Sequence, residues 1–202
     1  MRFDHAILFT GHMIDAPGRK ISRFPARAES AARDAIYAAL RNVKDLHARS
    51  GTRIGIAGGA SGGDILFHEA CTALSIPTWL RLALPIEQYV EASVAPAGGD
   101  WVGRFYALIE RLGQDAIQVL DDSVVLPESL TGGEELNIWQ RTNLWMVNEA
   151  ISSAPQRTLL ALWDGKAGDG PGGTEHLVSA APGFGIDVAP IIRTQALFIA
   201  ES

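Results

Sequence analysis

The chain has 202 residues, 47% of them hydrophobic, and its 17 basic and 23 acidic side chains leave a net charge of −6. This length and apolar content suit one domain with a sizeable core and exclude a predominantly disordered chain. The acidic balance argues against a protein that wraps a long nucleic acid, because neutralising phosphates needs a basic face.

The lone Cys71 cannot form an intramolecular disulfide and fits a reducing, cytoplasmic setting. The apolar run at Ala6 to Thr10 is too short for a signal peptide. No stretch approaches the roughly 18 apolar residues of a membrane-spanning helix.

In chain order, His5 to Gly11 is a short apolar run stopped by glycine, as expected of a strand buried on both faces. A loop over 12–25 follows. Apolar residues at 28, 32, 35, 36, 39, 40, 43 and 46 then predict a helix over 26–50, closed by Gly51. Arg53 to Ala57 reads as a second strand, Gly58 to Asp64 as a tight loop, Ile65 to Leu74 as a helix and Thr78 to Leu84 as a third strand. This alternation predicts right-handed βαβ units and a parallel sheet. Further on, helices are expected over 86–94 and around Trp101 to Leu112, and a strand at 116–120. A long helix over 134–153, a strand at 158–163, a helix over 174–181 and a last strand at 187–192 complete the pattern. With no repeat or dividing linker, the expectation is a single domain over 1–202: an α/β, Rossmann-like three-layer sandwich with a mainly parallel sheet and helices on both faces.

Ligands of such sheets bind beyond the carboxyl ends of the strands, near the point where strand order reverses. Gly58, Gly59, Gly62 and Gly63 fall between a strand and a helix, where backbone amides could approach an anion and Ser61 could donate to a phosphate oxygen. Asp64 would repel a phosphate and reads as a cap. The alternative is a tight turn with close helix-to-strand packing and no ligand, since the full G-x-G-x-x-G fingerprint is missing.

Gly172, Gly173 and Thr174 repeat the arrangement inside a stretch with five glycines between 165 and 173. The 12–25 loop mixes His12, Asp15, Arg19, Lys20 and Arg23, and long loops in compact domains are often functional. Gly11 and His12, at the strand end, are better placed for a site than His5 or His47. Of the five tryptophans, Trp139, Trp145 and Trp163 lie nearest the expected site, where one could stack on a base. The histidines and cysteine lack zinc-ligand spacing, so neither metal nor cofactor is implied. There is also no Walker A sequence and no G-x-S-x-G elbow.

Laid out this way, the chain resembles the SLOG superfamily, named for the Smf/DprA DNA-processing proteins and the LOG phosphoribohydrolases. GGASGGDILFHEA is similar to the DprA pattern, with Gly58, Gly62, Asp64 and His68 on its positions. RTNLWM and the later PGGT resemble the LOG order, with Arg141 in the place of the family's arginine and Pro171, Gly172, Gly173 and Thr174 in that of its phosphate loop. FTGHMIDAPGR and GGTEH also look like SLOG-type domains of large bacterial signalling proteins.

Two departures stand out. The LOG pattern's catalytic glutamate falls on Leu177, with Glu175 two positions earlier, and Ser61 replaces a basic residue of the DprA pattern. The resemblance implies binding or sensing of a nucleotide or nucleotide-derived phosphorylated small molecule through Gly11, His12, Gly58, Gly59, Ser61, Gly62, Gly63, Gly172, Gly173 and Thr174. The alternative is an N-glycosidic bond hydrolase or transferase acting on nucleoside monophosphates, with Arg141 holding phosphate and Glu175 or Glu134 stabilising the developing positive charge. Single-stranded DNA binding in the DprA manner ranks last. No membrane partner is expected, and related folds often pair through their helices, which leaves a homodimer open.

Overall fold

A computed structural model describes residues 3–46, 51–168 and 172–199. Six strands, β1 (His5–Gly11), β2 (Arg53–Ala57), β3 (Thr78–Leu82), β4 (Ile117–Val119), β5 (Gln156–Leu162) and β6 (Asp187–Val188), form one sheet in the order β4-β3-β2-β1-β5-β6. Every strand pair is parallel. The chain walks outward from β1 to β4, then crosses back to place β5 on the other side of β1, so strand order reverses between β1 and β5.

Strand alternation sorts the core into two layers. Ile7 and Phe9 of β1 pack with Ala32, Ile36 and Leu40 of α1 (Glu29–Leu46), with Ile65, Leu66 and Cys71 of α2 (Gly63–Ala73), and with Phe105 of α4 (Trp101–Leu112). Ala6 and Leu8 face the opposite way, onto Met146, Val147 and Ala150 of α6 (Ile138–Ser153) and Leu177 of α7 (Thr174–Ala180). Helices therefore cover both faces of a parallel sheet, giving the Rossmann-like three-layer α/β sandwich. Short helices α3 (Ile86–Ser93), α5 (Glu128–Thr131) and α8 (Thr194–Ile199) complete the elements. Among the described residues no helix is long and apolar enough to cross a membrane.

Element boundaries differ from the sequence reading for identifiable reasons. The helix expected from residue 134 starts at Ile138, because Asn137 and Gln140 form a capping box: the Asn137 Oδ1 accepts the Gln140 amide at 2.9 Å and the Gln140 Oε1 accepts the Asn137 amide at 3.2 Å. The strand expected at 187–192 stops at Val188; the Ala189 amide still donates to the Leu159 carbonyl at 3.0 Å, and the chain meets the sheet again at Ile192, which bridges to Leu162. Pro190 interrupts it, having no amide hydrogen to give to a ladder. The chain after 193 turns into α8, which the sequence reading did not anticipate.

His68 stitches α2 to two strands. Its ring nitrogens lie 2.8 Å from the Thr78 Oγ1 and 2.9 Å from the Gly58 carbonyl oxygen, and the residue is fully buried. Burial pushes its pKa down from 6.5 to about 4, against the pull of the Gly58 carbonyl. Because the unfolded imidazole takes a proton first, the stability that neutral His68 confers is complete above about pH 6.5 and is lost as the pH falls towards 4. Urea unfolding at pH 7 and pH 4 should therefore show a loss on the order of 3 kcal/mol larger in the native protein than in His68→Gln; equal losses would refute the assignment.

Candidate functional site

The carboxyl ends of β1, β2, β3 and β5 open into one crevice with a cavity of about 530 Å³, within the range that small-molecule sites occupy. It lies over the β1/β5 reversal, where such sheets bind ligands. Its walls come from the 12–25 loop, the first turn of α2, α3, one stripe of α6 and the 172–175 turn.

The 12–25 loop is organised by Asp15. Its carboxylate accepts the amides of Arg23 and Phe24 and the Ser22 hydroxyl at 2.7–3.2 Å, while Phe24 is buried as the loop's anchor. This folds Arg23 inward against Asp164, two residues beyond β5. The guanidinium grips that carboxylate with two bonds, Nε to Oδ2 and Nη2 to Oδ1, both 2.8 Å. His12 Nε2 lies 2.9 Å from the same Oδ1, and the Lys166 amide donates to it at 3.0 Å.

Only 1% of the Asp164 side chain is exposed. Burial alone would raise its pKa, but the hydrogen bonds from Arg23 and His12 outweigh that and hold it well below the usual carboxylate range. His12 moves down instead: burial dominates, Arg23 and Arg19 repel a further positive charge, and Asp164 only partly opposes them.

On the far side of the crevice, Asp64 accepts the Ala60 amide at 3.3 Å and is also hydrogen-bonded by the Gly11 amide. It thus caps the end of β1 and the 58–60 turn together, which is the organising role read from sequence. Its enclosure raises its pKa to about 7 despite those two amides. Tyr89 of α3 lines the same end, and its hydroxyl accepts the Gly59 amide at 3.0 Å.

The glycine-rich 58–64 loop does not present the row of free amides expected of it. Gly59 donates to Tyr89, Ala60 to Asp64, Ser61 to the Ser93 carbonyl at 2.9 Å, and Gly63 to the His12 carbonyl at 3.0 Å. Ser61 is fully buried and its hydroxyl donates to the Ser93 carbonyl at 3.2 Å, so it does not face the cavity.

The loop's glycines serve close packing. A Cβ on Gly63 would lie 2.8 Å from the Gly11 Cα, and one on Gly62, whose φ is +101°, would lie 2.6 Å from the Ile14 nitrogen. Only Gly58 and Asp64, with Ala60, reach the cavity wall. Gly59, Ser61, Gly62 and Gly63 thus do not line the cavity, and close packing accounts for them.

The second glycine turn does reach the site: Gly172, Gly173, Thr174 and Glu175 all line the cavity, together with Gly11 and His12. Gly172 has φ +95° and lies so close to α6 that a Cβ would be 2.6 Å from the Trp139 Cβ. The Asn143 Nδ2 donates to its carbonyl at 2.8 Å. Pro171 and His47 fall outside the described residues, and His5 is buried against Thr158.

Arg141 is not brought to the cavity. Trp139, Thr142, Asn143 and Met146 form the i, i+3, i+4, i+7 stripe of α6 that lines it, and Arg141 sits off that stripe, its Nη2 donating to the Val124 carbonyl at 3.3 Å. Glu134 does not line it either. Leu177, on the position of the LOG glutamate, is fully buried in the core.

Of the tryptophans near the site, Trp139 and Trp163 line the cavity. Trp145 packs instead on the guanidinium of Arg81, 5.4 Å from the ring centre. Arg81, Asn143 and Tyr89 were missed by sequence reasoning. The α6 stripe, once counted from Trp139, was the signal that could have found Asn143. Among the described residues no three His, Cys, Asp or Glu side chains gather as a metal site. No model of a known protein family and no curated protein matches this chain.

Removing one partner of a buried ion pair leaves the other charge uncompensated, which costs about 3–5 kcal/mol. Asp164→Ala should therefore lower unfolding stability by about that much in urea titrations, while the exposed Asp187→Ala stays within about 0.5 kcal/mol of the parent. Equal, small losses would show that Asp164 does not hold the loop.

Proposed function

We propose that the chain binds a nucleotide or a nucleotide-derived phosphorylated small molecule in this crevice, as a member of the SLOG-like domains in a cytoplasmic setting. The observation that carries the reading is the joint composition of one cavity of about 530 Å³ at the β1/β5 reversal. Two indole rings, Trp139 and Trp163, stand in its wall with Arg19, Arg23 and the Gly172–Thr174 turn.

Indole faces stack on bases, guanidinium groups recognise phosphate oxygens, and an open glycine turn admits an anion close to backbone. The Trp163 ring is held by its own Nε1, which donates to the Lys166 carbonyl at 2.8 Å. It would thus offer a base a fixed platform. Binding here would be a matter of side chains from the 12–25 loop and α6 around the 172–174 turn, with the 58–64 loop acting as floor.

One observation favours a second reading, hydrolysis of the bond between base and sugar: Glu175 lines the same cavity, in the first turn of α7. In that reading the carboxylate would stabilise positive charge developing on the sugar.

Thermal-shift and calorimetric titration against the ribonucleoside 5′-monophosphates separates these readings. A ligand at 100 times its dissociation constant stabilises by about 2.7 kcal/mol, and Arg19→Ala should weaken it about tenfold, as expected for losing a charged hydrogen bond to phosphate. No stabilisation by any of them would overturn the binding reading. Release of free base that disappears in Glu175→Gln would establish the hydrolase, and binding without release would exclude it.

A further inference from the structure

The protonation pattern around Asp164 fixes the chemistry of His12. The Asp164 carboxylate accepts from the Arg23 Nε and Nη2, from the Lys166 amide and, at 2.9 Å, from the His12 ring. Three donors already converge on it and it remains ionised, so it has no proton to give. In the contact with His12 the imidazole must therefore be the donor, and its proton sits on Nε2.

The charged groups acting on the ring are Asp164 beyond β5 and Arg23 and Arg19 of the 12–25 loop. Burial and the two cations disfavour a second proton on the ring, with Asp164 opposing them in part. Nδ1 is left as a bare acceptor, and no hydrogen bond to it is formed among the described residues.

The ring is also immobilised. The His12 amide donates to the Leu162 carbonyl at 2.9 Å and its carbonyl accepts the Gly63 amide at 3.0 Å. The residue lines the cavity while only 12% of its side chain is exposed. A fixed, uncharged acceptor in a cavity wall that also carries arginines is suited to a neutral donor of a ligand whose anionic part lies elsewhere.

Resting on the nucleotide reading above, we infer that His12 is a specificity-determining residue whose Nδ1 accepts a hydrogen bond from a sugar hydroxyl of the ligand, so that the site selects ribonucleotides over their dideoxy counterparts. His12 here is an acceptor for a hydroxyl and not a cation for phosphate, and the ratio of ribo to dideoxy affinity tells the two apart. As the pH falls through the lowered pKa of His12, Nδ1 gains a proton and can no longer accept, which acts on the ribo form; a cation for phosphate, like the phosphate's own titration, acts on both sugar forms alike.

The test is calorimetric titration of the full chain with the four ribonucleoside 5′-monophosphates and their 2′,3′-dideoxy forms at pH 8 and pH 5. The inference expects about a 3- to 10-fold preference for the ribo form at pH 8, the span of a net neutral hydrogen bond. It expects that preference not to grow as acid titrates His12, to vanish in His12→Phe, and to return in part in His12→Asn, whose amide oxygen can accept. Melting temperatures of both variants near the parent's keep the comparison interpretable; should His12→Phe not fold, the pH dependence and His12→Asn decide it.

Equal affinity for both sugar forms, a preference that survives His12→Phe, or a preference that grows in acid overturns the inference and leaves nucleotide binding standing. Failure of every nucleotide to bind overturns both.

Discussion

One buried carboxylate ties the 12–25 loop to the end of β5. Asp164 lies directly beyond β5, where the chain leaves the sheet, and it collects Arg23 and His12 from the segment that leaves β1. These are the two strands between which the order reverses, so this contact closes one end of the gap that the topology creates. Without it, the 12–25 loop would be joined to that side of the molecule by little beyond the backbone contact from the His12 amide to the Leu162 carbonyl. Taking two charges out of water is costly, and the bidentate geometry, the Lys166 amide and the imidazole together offset that cost. The arrangement stabilises the fold less than it specifies one position for the loop.

A second constraint acts on the other side of β1. Gly11 and Gly63 meet so closely that neither tolerates a Cβ, and the amide of Gly63 is spent on the carbonyl of His12. Asp64, the next residue, reaches back to the Gly11 amide. The start of α2 is thereby bolted to the end of β1, and the 12–25 loop departs from a rigid platform. This explains why a loop so rich in glycine need not touch a ligand. Its amides go to Tyr89, Asp64, Ser93 and His12, and glycine is required at 62 and 63 because backbone runs against backbone, and at 58 and 59 because the Asp64 carboxyl and the Phe105 ring press close.

Much of this architecture was legible in the residues. Two-sided apolar runs ending in glycine marked β1 and β2 to the residue, and the alternation of strands and helices implied the parallel sheet. The crevice was legible too, since a glycine-rich turn, a long polar loop and His12 all followed strand ends. What failed was the step from glycine to exposed amide. Local sequence shows that the backbone is permitted to be bare but not which neighbour comes to cover it, and the neighbours of Gly62 lie some fifty residues earlier at His12 and Ile14. The misplacement of Arg141 has a different origin: it was carried over from the LOG resemblance, and on α6 it sits off the stripe of Trp139, Thr142, Asn143 and Met146 that lines the cavity. The pairing of Arg23 with Asp164 spans 141 positions, and no local pattern encodes it.

The charges in the cavity also give it a direction. Arg23 is paired with Asp164 and Arg19 with Asp15 at 3.5 Å, whereas Asp64, whose carboxyl is bonded by the Gly11 amide, has its pKa raised to about 7 by burial. An anion in the middle of the crevice would raise the free energy of ionised Asp64 further, since like charges in an enclosed site repel. A neutral Asp64 would therefore not repel an anion as its formula charge suggests. The polarity follows from the same two features that build the walls, a carboxylate beyond β5 with several donors on it and a carboxyl at α2 whose charge, among the described residues, is held by the Ala60 and Gly11 amides.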